Sequence, residues 1–222
     1  VARFEGEVFL GGSLELKSAI VISQVMGYAI SKYLGIKFVS ELAPRKHALA
    51  LVGLIVWAEA ALVLFAGLPG DAKVIGIFLN GLSLGMVWGL VVRYLEGRVT
   101  SELLLAGLSA SFIVSSGMVR DFGRAVMSGA VAEAWSRLPG VGGAIASALG
   151  PVGESWMPAV TGLHFLPPFL LFVWLLAQIP AQSPVDRIER HRRESMDAAR
   201  RMAFVRAYWP GLVLLVLAYL LL

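Results

Sequence analysis

Two ionisable side chains lie inside long apolar stretches of the sequence, where their chemistry is harder to explain by packing alone. Glu59 is near the middle of the apolar run 48–66, and His164 lies in the apolar run 157–178. Ionisable groups at membrane depth are costly and usually face a cavity or a partner. Glu59 is either a protonated carboxyl held in a structural hydrogen bond, or a functional carboxyl that transfers protons during transport or contacts a substrate. His164 is either a satisfied core histidine or part of a gate or proton relay.

Uncharged polar side chains in three other apolar runs are candidates for the lining of a solute cavity. Two of them are four residues apart in the first run and therefore share one face of a helix. The others lie in the third and fourth runs. The same groups could instead form hydrogen bonds between helices. The cavity candidates are Gln24, Tyr28, Asn80, Trp88 and Ser109.

No pattern typical of covalent or metal chemistry is present in the sequence. The chain has no cysteine and three histidines, His47, His164 and His191. It contains neither an HExxH pair nor a glycine-rich phosphate loop between a strand and a helix. We therefore predict no catalytic residue, no bound metal and no cofactor, and we expect that the protein is not an enzyme.

Five apolar runs of about twenty residues must position these side chains. Hydrophobic residues make up 58% of the chain and charged residues 15%, against about 25% charged residues in soluble domains. A helix of about twenty apolar residues crosses a hydrocarbon core of about 30 Å. The sequence thus predicts an all-α, polytopic transmembrane bundle. Its expected partner is the lipid bilayer, and no nucleic acid is expected to bind. The runs are 18–38, 48–66, 74–94, 103–122 and 157–178, followed by a shorter run at 211–222.

The distribution of Lys and Arg predicts how the bundle is oriented. The loops 31–47, 93–102 and 179–208 hold four, two and seven of the 19 Lys and Arg residues. The positive-inside rule places these alternate loops in the cytoplasm. We therefore expect an integral protein of the bacterial inner membrane, with the N-terminal stretch outside. The segment 123–156 is expected to lie outside too, with one or two short interfacial helices.

Small residues at four-residue spacing predict close packing of two helices. Gly81, Gly85 and Gly89 lie on one face of the third run, and Gly107 begins a similar face of the fourth. Small side chains let helix backbones approach closely in a membrane. These faces are expected to pack against each other or against neighbouring helices.

The arrangement resembles the N-terminal half of the major facilitator superfamily (MFS). The best local match is 27–35 with the residues up to position 46, which looks like the end of the second transmembrane helix and the cytoplasmic loop after it. The resemblance assigns Gly35, Glu41, Arg45 and Lys46 to the glycine, the acid and the basic cluster of that loop. The segments around 31–35 and 78–88 are most similar to the branch that exchanges organophosphates for phosphate. The chain is also similar to an uncharacterised bacterial MFS-like family.

This resemblance implies a division of the chain and a function. Residues 1–178 would form helices two to six of an incomplete first bundle, 179–208 a basic cytoplasmic linker, and 209–222 the truncated start of helix seven. The remaining half of the polypeptide would be the partner of this fragment. The implied function is secondary transport of a small solute, an organic anion, by alternating access. A non-transporting sensor or scaffold on the same fold is the alternative, followed by a membrane-embedded enzyme.

Overall fold

Helices form nearly all of the part of the chain that the structure describes, as predicted. The computed structural model describes residues 4, 6–42, 46–95, 98, 100–150, 152–179 and 198–221. Within these residues the only strand-like pairing is one isolated bridge between Val8 and Glu15. The helices are α1 (Leu16–Glu41), α2 (His47–Gly67), α3 (Lys73–Leu95), α4 (Ser101–Met127), α5 (Ala130–Ser136), α6 (Gly142–Leu149), α7 (Met157–Ala177) and α8 (Ala198–Leu221).

Four of the described helices are long and apolar enough to cross a membrane: α2, α3 with the turn before it, α4 and α7. They coincide with four of the five predicted spans, so the chain has the helices of a polytopic membrane protein. The first predicted run forms the 26-residue helix α1 but is not among these four. Polar residues such as Gln24, Ser31 and Lys32 lie along it, and its side chains at 36, 37 and 39–41 lie outside the described residues.

The segment between α4 and α7 forms two short helices, which confirms that part of the prediction. Helix α5 has seven residues and α6 has eight, so neither is long enough to span a bilayer. The chain turns from α4 into α5 at Gly129, whose φ of 80° lies in the left-handed region that favours glycine. The turn lets α5 fold back towards the bundle.

The last helix joins two segments that the resemblance assigns to different parts of the chain. Helix α8 begins at Ala198 and continues through Pro210 to Leu221. It therefore contains the end of the predicted linker and most of the predicted start of a second bundle. Residues 180–197, with the first four arginines of the linker, lie outside the described residues.

Helices α1 and α3 run parallel and touch through their backbones. A Cβ added to Gly81 would overlap the carbonyl oxygen of Gln24 on α1, and one added to Gly85 would lie 2.6 Å from the carbonyl oxygen of Tyr28. Gly27 on α1 faces α3 in the same way. The predicted glycine face of α3 therefore packs on α1.

The other two glycines of that prediction lie differently. Gly89 is half-buried on α3, one turn beyond Gly85. Gly107 has no atom within 4 Å of an added Cβ, so the described structure brings no helix close to it. Helix α4 meets α7, α5 and α3, and its buried residues are Gly123 and Val126 near its end.

One end of the bundle is closed by a packed core. Leu51 of α2, Leu90 of α3 and Val173 of α7 are 1%, 0% and 6% exposed and contact one another. Leu51 lies near the start of α2, whereas Leu90 and Val173 lie near the ends of their helices. We call this the closed end, and we call the opposite end, where α2 and α4 end and α1, α3 and α7 begin, the open end.

Candidate functional site

A cavity of about 780 Å³ lies between α1, α2, α3, α4 and α7 at the open end. Pockets for small organic ligands measure roughly 300–1,000 Å³ and have mostly apolar walls with a few polar groups. With a helical rise of about 1.5 Å per residue, Ile55 and Phe169 in its lining lie about 18 Å from the open end. The cavity therefore reaches the middle of the helices. Its polar lining consists of Gln24, Glu59, Asn80, Arg120, Arg124 and Thr161.

Two of the five predicted cavity residues line the cavity and are hydrogen-bonded to each other. Asn80 is 3% exposed; its Oδ1 accepts a hydrogen bond of 3.2 Å from Gln24 Nε2, and its Nδ2 donates one of 3.1 Å to the Ala58 carbonyl oxygen. These two bonds join α1, α2 and α3 in one wall. Interhelical hydrogen bonds in membrane proteins contribute about 0.6–2 kcal/mol each. These two amides therefore line the cavity and also form hydrogen bonds between helices, the two alternatives considered from the sequence.

The other three predicted cavity residues lie outside the lining. The Lys32 ammonium is 4.7 Å from the centre of the Tyr28 ring, and the ring of Trp88 packs on that of Phe112 with centroids 4.9 Å apart. Ser109 is exposed on α4, and its hydroxyl donates to a carbonyl oxygen of its own helix at 2.9 Å. The residues of α4 that line the cavity begin at Val119, more than two turns after Ser109.

Glu59 faces the cavity at half depth, against the backbone of α7. A Cβ added to Gly162 would overlap Glu59 Oε2, so the glycine makes room for the carboxylate. In the part of the chain that the structure describes, this carboxylate has neither a hydrogen bond nor an ion pair. Within the described residues Glu59 is therefore not held in a structural hydrogen bond, and a proton-carrying or substrate-contacting role stays a prediction.

Thr161 is a cavity residue that sequence reasoning did not single out. It is 5% exposed, and its hydroxyl has no hydrogen-bond partner within the described structure. A buried hydroxyl left without a partner costs about 1–3 kcal/mol. Its Oγ1 lies 3.8 Å from the position of a Cβ added to Gly123 on α4, whereas the next residue, Gly162, faces Glu59 on α2. The sequence carries no signal for it, because a lone threonine in an apolar helix is ordinary.

Two arginines of α4 lie at the mouth of the cavity. Arg124 Nη1 is 3.2 Å from Asp121 Oδ1, and both side chains are largely exposed. Arg120, one turn deeper, has no ion pair with a described residue. Arg120 and Glu59 line the same cavity without pairing with each other.

His164 lies beside the cavity and fastens α5 to α7. The indole of Trp135 donates from Nε1 to His164 Nε2 at 3.1 Å, and His164 Nδ1 is 2.7 Å from the Val160 carbonyl oxygen. An indole N–H only donates and a carbonyl only accepts. The ring is therefore the neutral tautomer with its proton on Nδ1. The structure supports the interpretation of His164 as a core histidine with both nitrogens satisfied.

Replacing Trp135 by phenylalanine is expected to loosen α5 while leaving the bundle folded. The change removes the only donor to His164 Nε2 among the described residues, a loss of about 1 kcal/mol. Hydrogen exchange of the α5 amides should become faster, and thermal unfolding should change little. Trp57→Phe is the matched control, because Trp57 is 51% exposed on α2. Equal exchange of α5 in both variants would contradict this role.

Three of the four residues of the predicted cytoplasmic loop, Gly35, Glu41 and Lys46, lie at the closed end. Gly35 is buried, and a Cβ there would lie 2.9 Å from the Met86 side chain of α3. Glu41 ends α1, although its side chain is not described, and Lys46 is exposed. Arg45 lies outside the described residues. Among the residues that the structure describes, no group of three or more His, Asp or Glu could hold a metal ion.

Comparison with known proteins places this chain in a family. The model of a family of unknown function, DUF5690, matches residues 1–149 and 139–222, and the two segments together cover the chain. No curated protein and no solved structure matches it. The chain, with its bundle and its cavity, therefore belongs to the family of unknown function DUF5690.

Proposed function

We propose that the protein is a membrane transporter that moves a small organic solute through this cavity by alternating access. The observation that carries the proposal is the shape of the bundle. A cavity of about 780 Å³ reaches mid-span from one end, and a tightly packed core closes the other end. Opening the core end while closing the cavity mouth would expose the same lining to the opposite side of the membrane.

The charges of the loops predict the orientation of the bundle in the membrane. The basic loops 31–47 and 93–102 connect helices at the closed end. The positive-inside rule then turns the open end and its cavity to the outside. The expected bacterial inner membrane, the MFS-type half-bundle and the second half of the polypeptide remain parts of the same proposal.

Counterflow in liposomes tests transport directly. The full chain is reconstituted into liposomes loaded with an unlabelled solute, and uptake of the same labelled solute is followed. The panel contains monocarboxylates, phosphorylated solutes and amino acids. We expect at least one class to enter faster than it enters liposomes without protein. Binding of a solute without counterflow of any class would favour a sensor and would contradict transport.

Filling the cavity should abolish counterflow. Ile55→Trp places a large ring at the cavity wall and is expected to reduce the rate more than tenfold. Val56→Trp is the matched control, since the adjacent Val56 is 51% exposed on the surface of α2. Both variants should elute as folded protein. Equal rates in the two variants would show that solute does not pass through this cavity.

A further inference from the structure

We infer that the ligand of this cavity is an apolar zwitterion, a small molecule with one cationic group, one anionic group and an apolar body. This inference names the substrate class of the transporter proposed above and rests on that proposal. It is drawn from the pairing state of two lining side chains, Glu59 and Arg120. It replaces the organic anion that the family resemblance implies.

The cationic group of the ligand is required by Glu59. Its carboxylate lines the cavity at half depth and has no cation within the described residues. Glu59 is half-buried, and a charge partly removed from water without a counter-charge is unfavourable. A purely anionic ligand would enter beside this carboxylate and be repelled by it. A ligand ammonium supplies the missing opposite charge.

The Glu59 carboxylate lies against the backbone of α7. A Cβ added to Gly162 would overlap its Oε2. An ammonium has three donors and no acceptor, so a ligand ammonium in the cavity can donate to the carboxylate oxygens of Glu59.

Arg120, which is exposed and lines the cavity, provides a partner for the anionic group of the ligand. Arg124 already pairs with Asp121 at 3.2 Å, whereas Arg120 has no described anion. A guanidinium binds a carboxylate through two parallel hydrogen bonds. A purely cationic ligand would leave this site empty and would face two arginines at the mouth.

The remaining lining fits an apolar body beside the two charged groups. Leu62, Leu84, Phe165 and Phe169 form walls from α2, α3 and α7. Ligand pockets gain affinity chiefly from such walls and orientation from few polar groups. Hydrophobic amino acids combine all three features and are therefore the probes of choice.

Binding to matched probes tests the inference without any need for transport. The purified full chain in lipid nanodiscs is titrated calorimetrically with leucine, phenylalanine and tryptophan. Each is compared with its N-acetyl form, which is an anion, and with its amide, which is a cation. We expect at least one amino acid to bind about tenfold more tightly than both derivatives, the loss expected for one charge-assisted hydrogen bond.

Two substitutions should weaken binding in opposite patterns. Glu59→Gln should weaken binding of the amino acid about tenfold and leave binding of the N-acetyl form unchanged or tighter. Arg120→Gln should also weaken binding of the amino acid about tenfold, but it should leave binding of the amide unchanged or tighter. A merely structural role would weaken all three probes together. Glu133→Gln and Arg137→Gln are the matched controls, because this exposed pair on α5 is 2.5 Å apart and outside the cavity.

The outcomes separate the inference from the proposed function. An N-acetyl form that binds the wild-type protein as tightly as its amino acid, or no binding by any of the three amino acids, overturns the zwitterion. Counterflow of a pure anion would then leave transport standing. Conversely, amino acid binding with the expected variant pattern but without counterflow supports the zwitterion and contradicts transport.

Discussion

Replacing Gly81 by leucine is expected to prevent α1 from packing on α3 and to leave little folded protein. The added Cβ would overlap the backbone carbonyl oxygen of Gln24 and lie 3.1 Å from the backbone nitrogen of Tyr28. A backbone atom cannot rotate away, so the two helices must separate. Overpacking of a core typically costs about 1–3 kcal/mol and sometimes more, and loss of the crossing also breaks the hydrogen bond between Gln24 and Asn80. Size-exclusion chromatography and thermal unfolding in detergent would measure the loss.

Gly107→Leu is the matched control for this prediction. Gly107 lies in another apolar helix, and no atom lies within 4 Å of its added Cβ. Leucine is also a better helix former than glycine by roughly 0.8 kcal/mol. The variant should therefore elute and unfold like the wild-type protein. A Gly81→Leu protein as stable as the Gly107→Leu protein would refute the tight crossing.

Spacing on the sequence identified a packing face but not its partner. The glycines of α3 lie at a true crossing, while Gly107, with the same four-residue pattern, has open space beside it. The partner face was visible too, because Ser23, Gly27, Ser31 and Gly35 follow one another at the same spacing on α1. Small residues indicate that another helix can approach the backbone closely. Which helix approaches depends on tertiary packing, since only a neighbour in space can use the face.

The helices themselves were predictable because their apolar content is continuous over the length that a bilayer requires. Helix ends were less so. Polarity changes at about residue 208, but α8 continues through that point and through Pro210 to Leu221. A change in polarity marks where a helix leaves an apolar environment, and a helix ends only where its backbone hydrogen bonds do.

The candidate site was predicted in part for a similar reason. Glu59, Gln24 and Asn80 stand out because polar groups are rare in apolar runs, and all three line the cavity. Thr161 and Gly162 are unremarkable in composition. Their importance comes from a missing hydrogen-bond partner and from a carboxylate against a bare Cα, which are relations between helices. His164 likewise could be interpreted only through Trp135, a residue 29 positions away.

Replacing Gly162 by alanine is expected to impair the site while leaving the fold intact. The added methyl group would occupy the position of Glu59 Oε2. Unlike the backbone atoms beside Gly81, this oxygen ends a flexible side chain, so the carboxylate can swing aside. Counterflow, and the affinity for the apolar amino acid that binds the wild-type protein best, should each fall about tenfold, the effect of one lost charge-assisted hydrogen bond.

Thermal unfolding should distinguish this loss of function from a loss of structure. Alanine favours a helix over glycine by about 1 kcal/mol, so the melting temperature of Gly162→Ala should be unchanged or higher. Gly53→Ala is the matched control, because Gly53 is exposed on α2 and has no atom within 4 Å of an added Cβ. It should keep both stability and counterflow. If Gly162→Ala keeps wild-type counterflow as well, the position of the Glu59 carboxylate does not matter to the solute, because nothing else in the cavity changes.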